Sequence, residues 1–291
     1  MKTVHLKVIR HSLSKSIYKF SRNKVSVIGF YMVLLVVIVA IFAPYLVPYP
    51  KEVGAFVDFK NASKPPSLAH PFGLDDFGRD ILSRVMFAFR GALLMGLGVI
   101  AFVVPLGVLV GLFAGYYAGT WTDTVIMRIT DVFISLPALL LALAVAALFP
   151  RTLFNSMLAV SFAWWPWYAR LTYGMTSSLR NQVFIQDAQI IGAGRTHIIF
   201  REILPNCLAP IFTKMALDIG WVILLGATLS FVGLGEQPPT PALGTMVSDG
   251  AKYLPAQWWI AVFPALAIMF IILAFNLFGD GIRDMLSTEE V

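Results

Sequence analysis

RNQVFIQDAQIIGAGRTHIIFREILPN, from Arg180 to Asn206, is the one long polar interruption in the second half of a chain that is otherwise mostly apolar. Its spacing predicts two short helices around a glycine hinge. Over Gln182 to Ile191, the residues Phe184, Ala188 and Ile191 share a face at i, i+4 and i+7, while Gln182, Gln186 and Gln189 point elsewhere. Gly192 and Gly194 can adopt the positive φ that ends a helix, and Thr196 is a candidate N-cap for the next piece. Ile199 and Ile203 give that piece an apolar stripe, and Pro205 is expected to stop it. Helices of about 8 to 10 residues are marginal in water. Both pieces therefore need a packing partner, either the membrane surface or another protein.

Working outward, 291 residues that are 58% hydrophobic and 13% charged indicate an all-α integral membrane protein. The net charge of +6 points to lipid head groups and not to nucleic acid, because the basic residues sit at helix ends and in the N-terminal segment and form no stripe among stacking aromatics. A single cysteine, Cys207, excludes an internal disulfide. The first apolar run is too long for a signal h-region and lacks a small-x-small cleavage site, so it is expected to remain as an anchor.

Six transmembrane spans are expected. Residues 1–24, with Lys2, Lys7, Arg10, Lys15, Lys19, Arg22 and Lys24 and no acid, form a cytoplasmic basic segment. Residues 25–47 are the first span, charge-free and ending among Pro44, Pro48 and Pro50. Residues 48–90 are an extracytoplasmic loop. Within it Ile81, Leu82, Val85, Met86 and Phe89 predict an amphipathic helix over Gly78–Arg90, either at the outer interface or as an exposed linker. Residues 91–279 form the core with five further spans, and residues 280–291 a cytoplasmic tail. The second span, Gly91–Ala118, carries Gly107, Gly111 and Gly115 at four-residue spacing, which lets a neighbouring helix approach closely. The third runs to Phe149 across Pro137. The fourth, Leu153–Thr172, holds Trp164, Trp165, Trp167 and Tyr168 around Pro166. These aromatics are either an inner interfacial belt or, through Trp165 and Trp167, a wall of a transport path. The fifth, Leu208–Leu234, carries Lys214 and Asp218 one turn apart. They read as an i, i+4 pair, with contact between Asp218 and a cargo as the alternative. The sixth ends at Phe278. An even number of spans puts both termini and the 180–206 loop in the cytoplasm.

The chain has no G-x-x-x-x-G-K-[ST] loop, no H-E-x-x-H and no paired cysteines, and its four histidines, His5, His11, His70 and His197, are scattered. No catalytic group, metal site or cofactor is expected. Apart from Asp218 the spans hold almost no ionisable group at mid-depth, unlike an ion-coupled secondary transporter, which stays the weaker alternative. Driving a two-state gate from 1:99 to 99:1 takes about 5.5 kcal/mol of differential interaction. With a separate cytoplasmic motor, that force must cross a non-covalent contact, and the hinged stretch joined to spans four and five suits it best.

Gln186-Asp187-Ala188, then Gly192, then Leu204-Pro205 resemble the E-A-A-x-x-x-G-(nine)-I-x-L-P loop of ABC importer permeases, with Gln186 and Asp187 replacing Glu and Ala and Glu202 replacing Ile. His70-Pro71-Phe72-Gly73-Leu74-Asp75, with Gly78-Arg79-Asp80 and Ser83-Arg84, resembles the H-P-F-G-T-D-x-x-G-R-D-x-x-S-R segment of the C-type permease of dipeptide, oligopeptide and nickel importers. So do Pro238-Pro239-Thr240-Pro241, Gly244-Thr245-Met246 and the stretch from Asn276 to Asp284. The resemblance implies the type I importer permease fold, with a heterodimer formed with a related B-type permease, two cytoplasmic ATP-binding subunits and an external substrate-binding protein. It makes the segment around Gly192 a coupling helix, with Gln186, Asp187, Ala188, Gly192, Ala193, Gly194, Arg195, Leu204 and Pro205 as its residues. Peptides are the first expectation for cargo, with oligosaccharides and nickel chelates as alternatives.

Overall fold

The computed structural model describes Tyr18 and residues 20–286. Most of the basic N-terminal segment, up to Ser16 with Ile17 and Lys19, and residues 287–291 of the tail lie outside the described residues. Among the described residues there are helices and loops and no strand.

Helix α1, Lys24–Leu46, is capped by Asn23, whose Oδ1 accepts from the Val25 backbone N–H at 3.0 Å. It is apolar all round, as a lipid-facing helix must be. Helix α2, Ile81–Tyr116, starts at the cap Asp80 and runs 36 residues without interruption. At 1.5 Å per residue that is about 54 Å, well beyond a hydrocarbon core of about 30 Å. The amphipathic stretch expected as a separate interfacial helix is therefore the first turns of α2. Ile81, Val85, Ala88 and Phe89 are buried in a protein core and do not lie on a membrane surface.

Helices α3, Trp121–Ser135, and α4, Ala138–Ala146, meet at 90°. Leu136 between them is extended, because the ring of Pro137 excludes the helical region from the residue before it. Helix α5, Leu153–Leu179, is followed by the short α6, Val183–Ile190. Helix α7 runs from Arg195 to Phe231 and includes one π-helical turn, Ile198–Ile203. The loop after it holds α8, Leu243–Ala251, which the proline-rich sequence conceals, and α9 spans Trp259–Leu286. By length and composition α1, α2, α7 and α9 can cross a membrane, and the pair α3–α4, bent by 90°, has the composition of either a broken fifth span or a re-entrant loop. Helix α5, the fourth span of the sequence reading, has 27 residues, but Trp164 to Trp167 and Arg170 dilute its apolar run.

Helix α5 lies along α2, and the glycine stripe is the reason. A Cβ built at Gly107 would stand 2.6 Å from the Trp165 carbonyl oxygen, and one at Gly115 2.6 Å from the Thr176 Cβ. Only hydrogen leaves room for that approach. Three apolar clusters complete the bundle. One joins α1, α2, α7, α8 and α9, and a second joins α2, α4, α5 and α7. The third gathers Val108 and Leu112 of α2, Ile185 and Ala188 of α6, and Ile198, Ile199, Ile203, Cys207 and Ile211 of α7.

Candidate coupling site

Helix α6 has eight residues, yet it is held by its own chain. Ile185 is fully buried and Ala188 is buried beside it in the α2–α7 cluster, so neither a membrane nor a second protein is needed to seat this face. The face expected from the sequence is thereby split. Ala188 points inward, while Phe184 and Ile191 are exposed, because Ile185 at i−3 from Ala188 reaches the cluster instead. Outward stand Val183, Ile190 and Ile191, exposed to 69%, 82% and 84%. Gln186 and Asp187 are exposed among them.

The hinge uses one glycine. Gly192 has φ +86° and no atom that a Cβ would strike. The turn it makes closes α6 through bonds from Gly192 N–H to Gln189 O at 3.0 Å and from Ala193 N–H to Ala188 O at 2.9 Å. Gly194 has φ −69° and stands at the N-cap of α7, so Thr196 lies inside the helix and does not cap it. Pro205 does not stop the helix either. The π-helical turn before it, closed from Leu204 N–H to Ile199 O, loosens the ladder where proline has no N–H to give. Arg195 lies over the Tyr117 ring at 5.9 Å, Ala193 and Leu204 are partly buried, and Pro205 is exposed.

Polar contacts fix this end of the bundle. Arg180 Nη1 donates to the carbonyls of Tyr116 at 2.9 Å and Ala118 at 2.7 Å, joining the end of α5 to the end of α2. Asp123 Oδ2 accepts from Gly119 N–H at 2.8 Å and from the Tyr173 hydroxyl at 3.3 Å, and Arg170 pairs with Asp131 between α5 and α3. Helix α6 thus packs on α2 and α7 at the same end where α5 is tied to α2 and α3.

Deeper in the bundle, Asp218 of α7 is 5% exposed. Its carboxylate accepts from Trp164 Nε1 at 2.9 Å and pairs with Lys214 Nζ at 3.0 Å, while the Lys214 ammonium lies 5.3 Å from the centre of the Tyr168 ring. The expected i, i+4 pair is present, and the indole that reaches it is Trp164. Trp165 packs edge-on against Phe133 and backs the glycine stripe, and Trp167 is partly exposed. The structure does not bring Trp165 or Trp167 to Asp218. The only signal in the sequence for Trp164 is its place four residues before Tyr168, on the same face of α5.

At the end of the bundle opposite α6, the His70 to Arg84 segment is a set of fastenings. Asp75 accepts from the Phe77 and Arg79 N–H groups, both at 2.9 Å, and pairs with Arg79 at 2.7 Å and Arg84 at 3.5 Å. Asp80 caps α2 through Ser83 N–H at 2.7 Å and meets His70 Nδ1 at 3.0 Å. Arg84 donates to Val53 O at 3.0 Å, and Glu52 accepts from Asp80 N–H at 2.9 Å. Burial pushes the Glu52 and Asp76 carboxyls above the usual range. No group of three or more metal-ligating side chains occurs among the described residues.

Comparison with known proteins places this arrangement. Residues 107–289 match the model of the binding-protein-dependent transport system inner membrane component family, and residues 13–66 match the N-terminal transmembrane domain of oligopeptide transport permease C. The chain is 39% identical to a probable D,D-dipeptide transport system permease protein of Escherichia coli, covering 97% of this chain and 94% of that protein. It is 38% identical to a dipeptide transport system permease protein of Alkalihalophilus pseudofirmus, covering 93% and 88%, and 40% identical to a glutathione transport system permease protein of Pectobacterium atrosepticum, covering 93% and 89%. A solved chain of the MetNI methionine ABC transporter in an inward-facing conformation shares the fold at a TM-score of 0.51 and 17% identity, over 68% of this chain and 93% of that one. With its hinged α6 seated on α2 and α7 and its length matched almost throughout, the chain belongs to the binding-protein-dependent inner membrane component family, as a C-type permease subunit of an ABC importer.

Proposed function

We propose that the chain forms, with a related B-type permease, the path of an importer for dipeptides or oligopeptides, and that α6 is its coupling helix, seated in a groove of a cytoplasmic ATP-binding subunit. The observation that carries the coupling role is the outward apolar row Val183, Ile190 and Ile191 on a helix whose other face is locked to the bundle. An exposed apolar patch on a rigid base is a docking surface, and α6 lies between α5 and α7, whose movement would open or close a path. The cargo assignment is supported by relatives named for dipeptide and glutathione transport. An external substrate-binding protein delivers the peptide at the opposite end, and ATP closes the motor from the cytoplasm, with both termini on that side.

The test is uptake of labelled dialanine in a strain lacking its other peptide importers, with the genes encoded beside this chain supplied together. Uptake that needs both this chain and the ATP-binding subunits is the expected result. Uptake by this chain alone under an ion gradient would overturn the ATP-driven reading. ATP-dependent uptake of an oligosaccharide or nickel chelate with none of dialanine would overturn the cargo.

A further inference from the structure

At the end of the bundle opposite α6, a small cleft open to solvent lies between α2, α5, α7 and α8. Gly91, Ala92, Gly226, Ala227 and Gly244 supply much of its wall, and Glu236 lines it. The carboxylate of Glu236 lies against α2, where a Cβ on Gly91 would be 3.6 Å from its Oε2. Every other acid at this end is engaged. Asp75 is held by Arg79 and Arg84, Asp76 by Tyr253, Asp80 by His70, Asp249 by Lys252, Asp58 by Asn61, and Glu52 by the Asp80 N–H. Among the described residues no hydrogen bond or ion pair reaches Glu236. The neighbouring cation Arg90 lies over the Phe87 ring. Burial raises the Glu236 carboxyl above its usual range, with no opposing charge beside it.

The loop that carries Glu236 is braced. Gln237 Nε2 donates to Gly233 O at 3.2 Å and to Gly235 O at 2.9 Å, and Thr245 Oγ1 donates to Ser230 O at 3.2 Å. A half-buried carboxylate held in place without a partner loses part of its hydration, and the same loss of water strengthens its attraction for an incoming cation.

We propose that Glu236, at the edge of this cleft, is a recognition residue for a primary ammonium group, the free α-amino end of a peptide entering the permease. The inference rests on the peptide-import reading and deepens it. Peptides differ in every side chain and share only their backbone and two charged ends. A charge at the edge of the cleft reads one shared end and makes no demand on the variable remainder.

The experiment uses the whole transporter, with partner permease, ATP-binding subunits and receptor, in nanodiscs of phosphatidylglycerol. Dicyclohexylcarbodiimide modification of Glu236 is followed by mass spectrometry. Glu236 is expected to be modified in the unliganded transporter, and at dialanine concentrations about ten times its affinity the modification falls about tenfold. N-acetyl-dialanine gives no protection. In dialanine uptake by the strain lacking its other peptide importers, Glu236→Gln is expected to be several-fold slower than wild type and Glu236→Asp intermediate. Absence of modification without ligand overturns the proposal, as does protection by phosphatidylethanolamine in the absence of peptide, which would assign the site to a lipid head group. Normal dialanine uptake with no protection by dialanine or ethylamine overturns the site and leaves the peptide reading standing. Protection by ethylamine, with neither uptake of nor protection by dialanine, overturns the peptide assignment and leaves an ammonium site.

Discussion

Asp218 has its carboxylate occupied by Trp164 and Lys214, so its place in the interior is explained by the join it makes between α5 and α7. Asp218→Asn keeps an acceptor for the indole but leaves the Lys214 ammonium without its counter-charge in a largely buried position. A cost of about 1–3 kcal/mol is expected for a stranded buried partner, measured as thermal unfolding of the detergent-solubilised transporter. Adding Lys214→Met removes the stranded charge, so the double variant should recover much of that loss. If the two changes instead add independently, the pair is not the join described here. The pairing itself was legible from the i, i+4 spacing of Lys214 and Asp218. Trp164 was not, because three tryptophans around Pro166 differ only in rotation about one helix, and the sequence does not say which side of α5 meets α7.

Element α6 shows how far periodicity reaches. The sequence places a short amphipathic helix and a glycine hinge here, and both are present. The assignment of its faces fails, since a helix with apolar residues at 183, 184, 185, 188, 190 and 191 has more than one apolar side, and only the positions of α2 and α7 decide which is buried. The hinge glycines separate on backbone grounds. Gly192→Leu forces a side chain into φ +86°, costing about 1–2 kcal/mol, and is expected to weaken retention of the ATP-binding subunits on an affinity column while leaving membrane insertion intact. Gly194→Ala, at φ −69°, should retain them as the wild type does. Equal retention by both variants would remove the Gly192 turn from the coupling contact. The α2–α5 seam makes a companion case. Gly111→Leu should cost about 1–3 kcal/mol by overpacking, because its Cβ would meet the Ala169 carbonyl and the Thr172 side chain. Gly174→Ala, with open space around it, should be neutral or slightly stabilising in the same thermal measurement.

Across the whole molecule, the long charge-free runs made the membrane class legible, whereas the 90° bend at Pro137, read from the sequence as an interruption of one span, and features that depend on tertiary contact did not show. The initial turns of α2 read as an interfacial helix because Arg79, Asp80, Arg84 and Arg90 punctuate them. In the fold the first three of these are consumed by the loop before α2, and the apolar residues between them enter a core. Helix α8 was hidden by four prolines around it, and Glu236 by its place in the same loop. The arrangement of the chain across the bilayer makes the last prediction. Leu68 is fully exposed in the loop before α2 and Ile190 is exposed on α6, at opposite ends of the bundle, while the native Cys207 is fully buried and should stay unlabelled. In intact cells a membrane-impermeant maleimide is expected to label Leu68→Cys and to leave Ile190→Cys untouched until the membrane is permeabilised. Co-expression of the ATP-binding subunits should then protect Ile190→Cys, since the proposed groove covers that residue. Labelling of Ile190→Cys from outside would reverse the orientation and place α6 beyond the reach of any cytoplasmic motor.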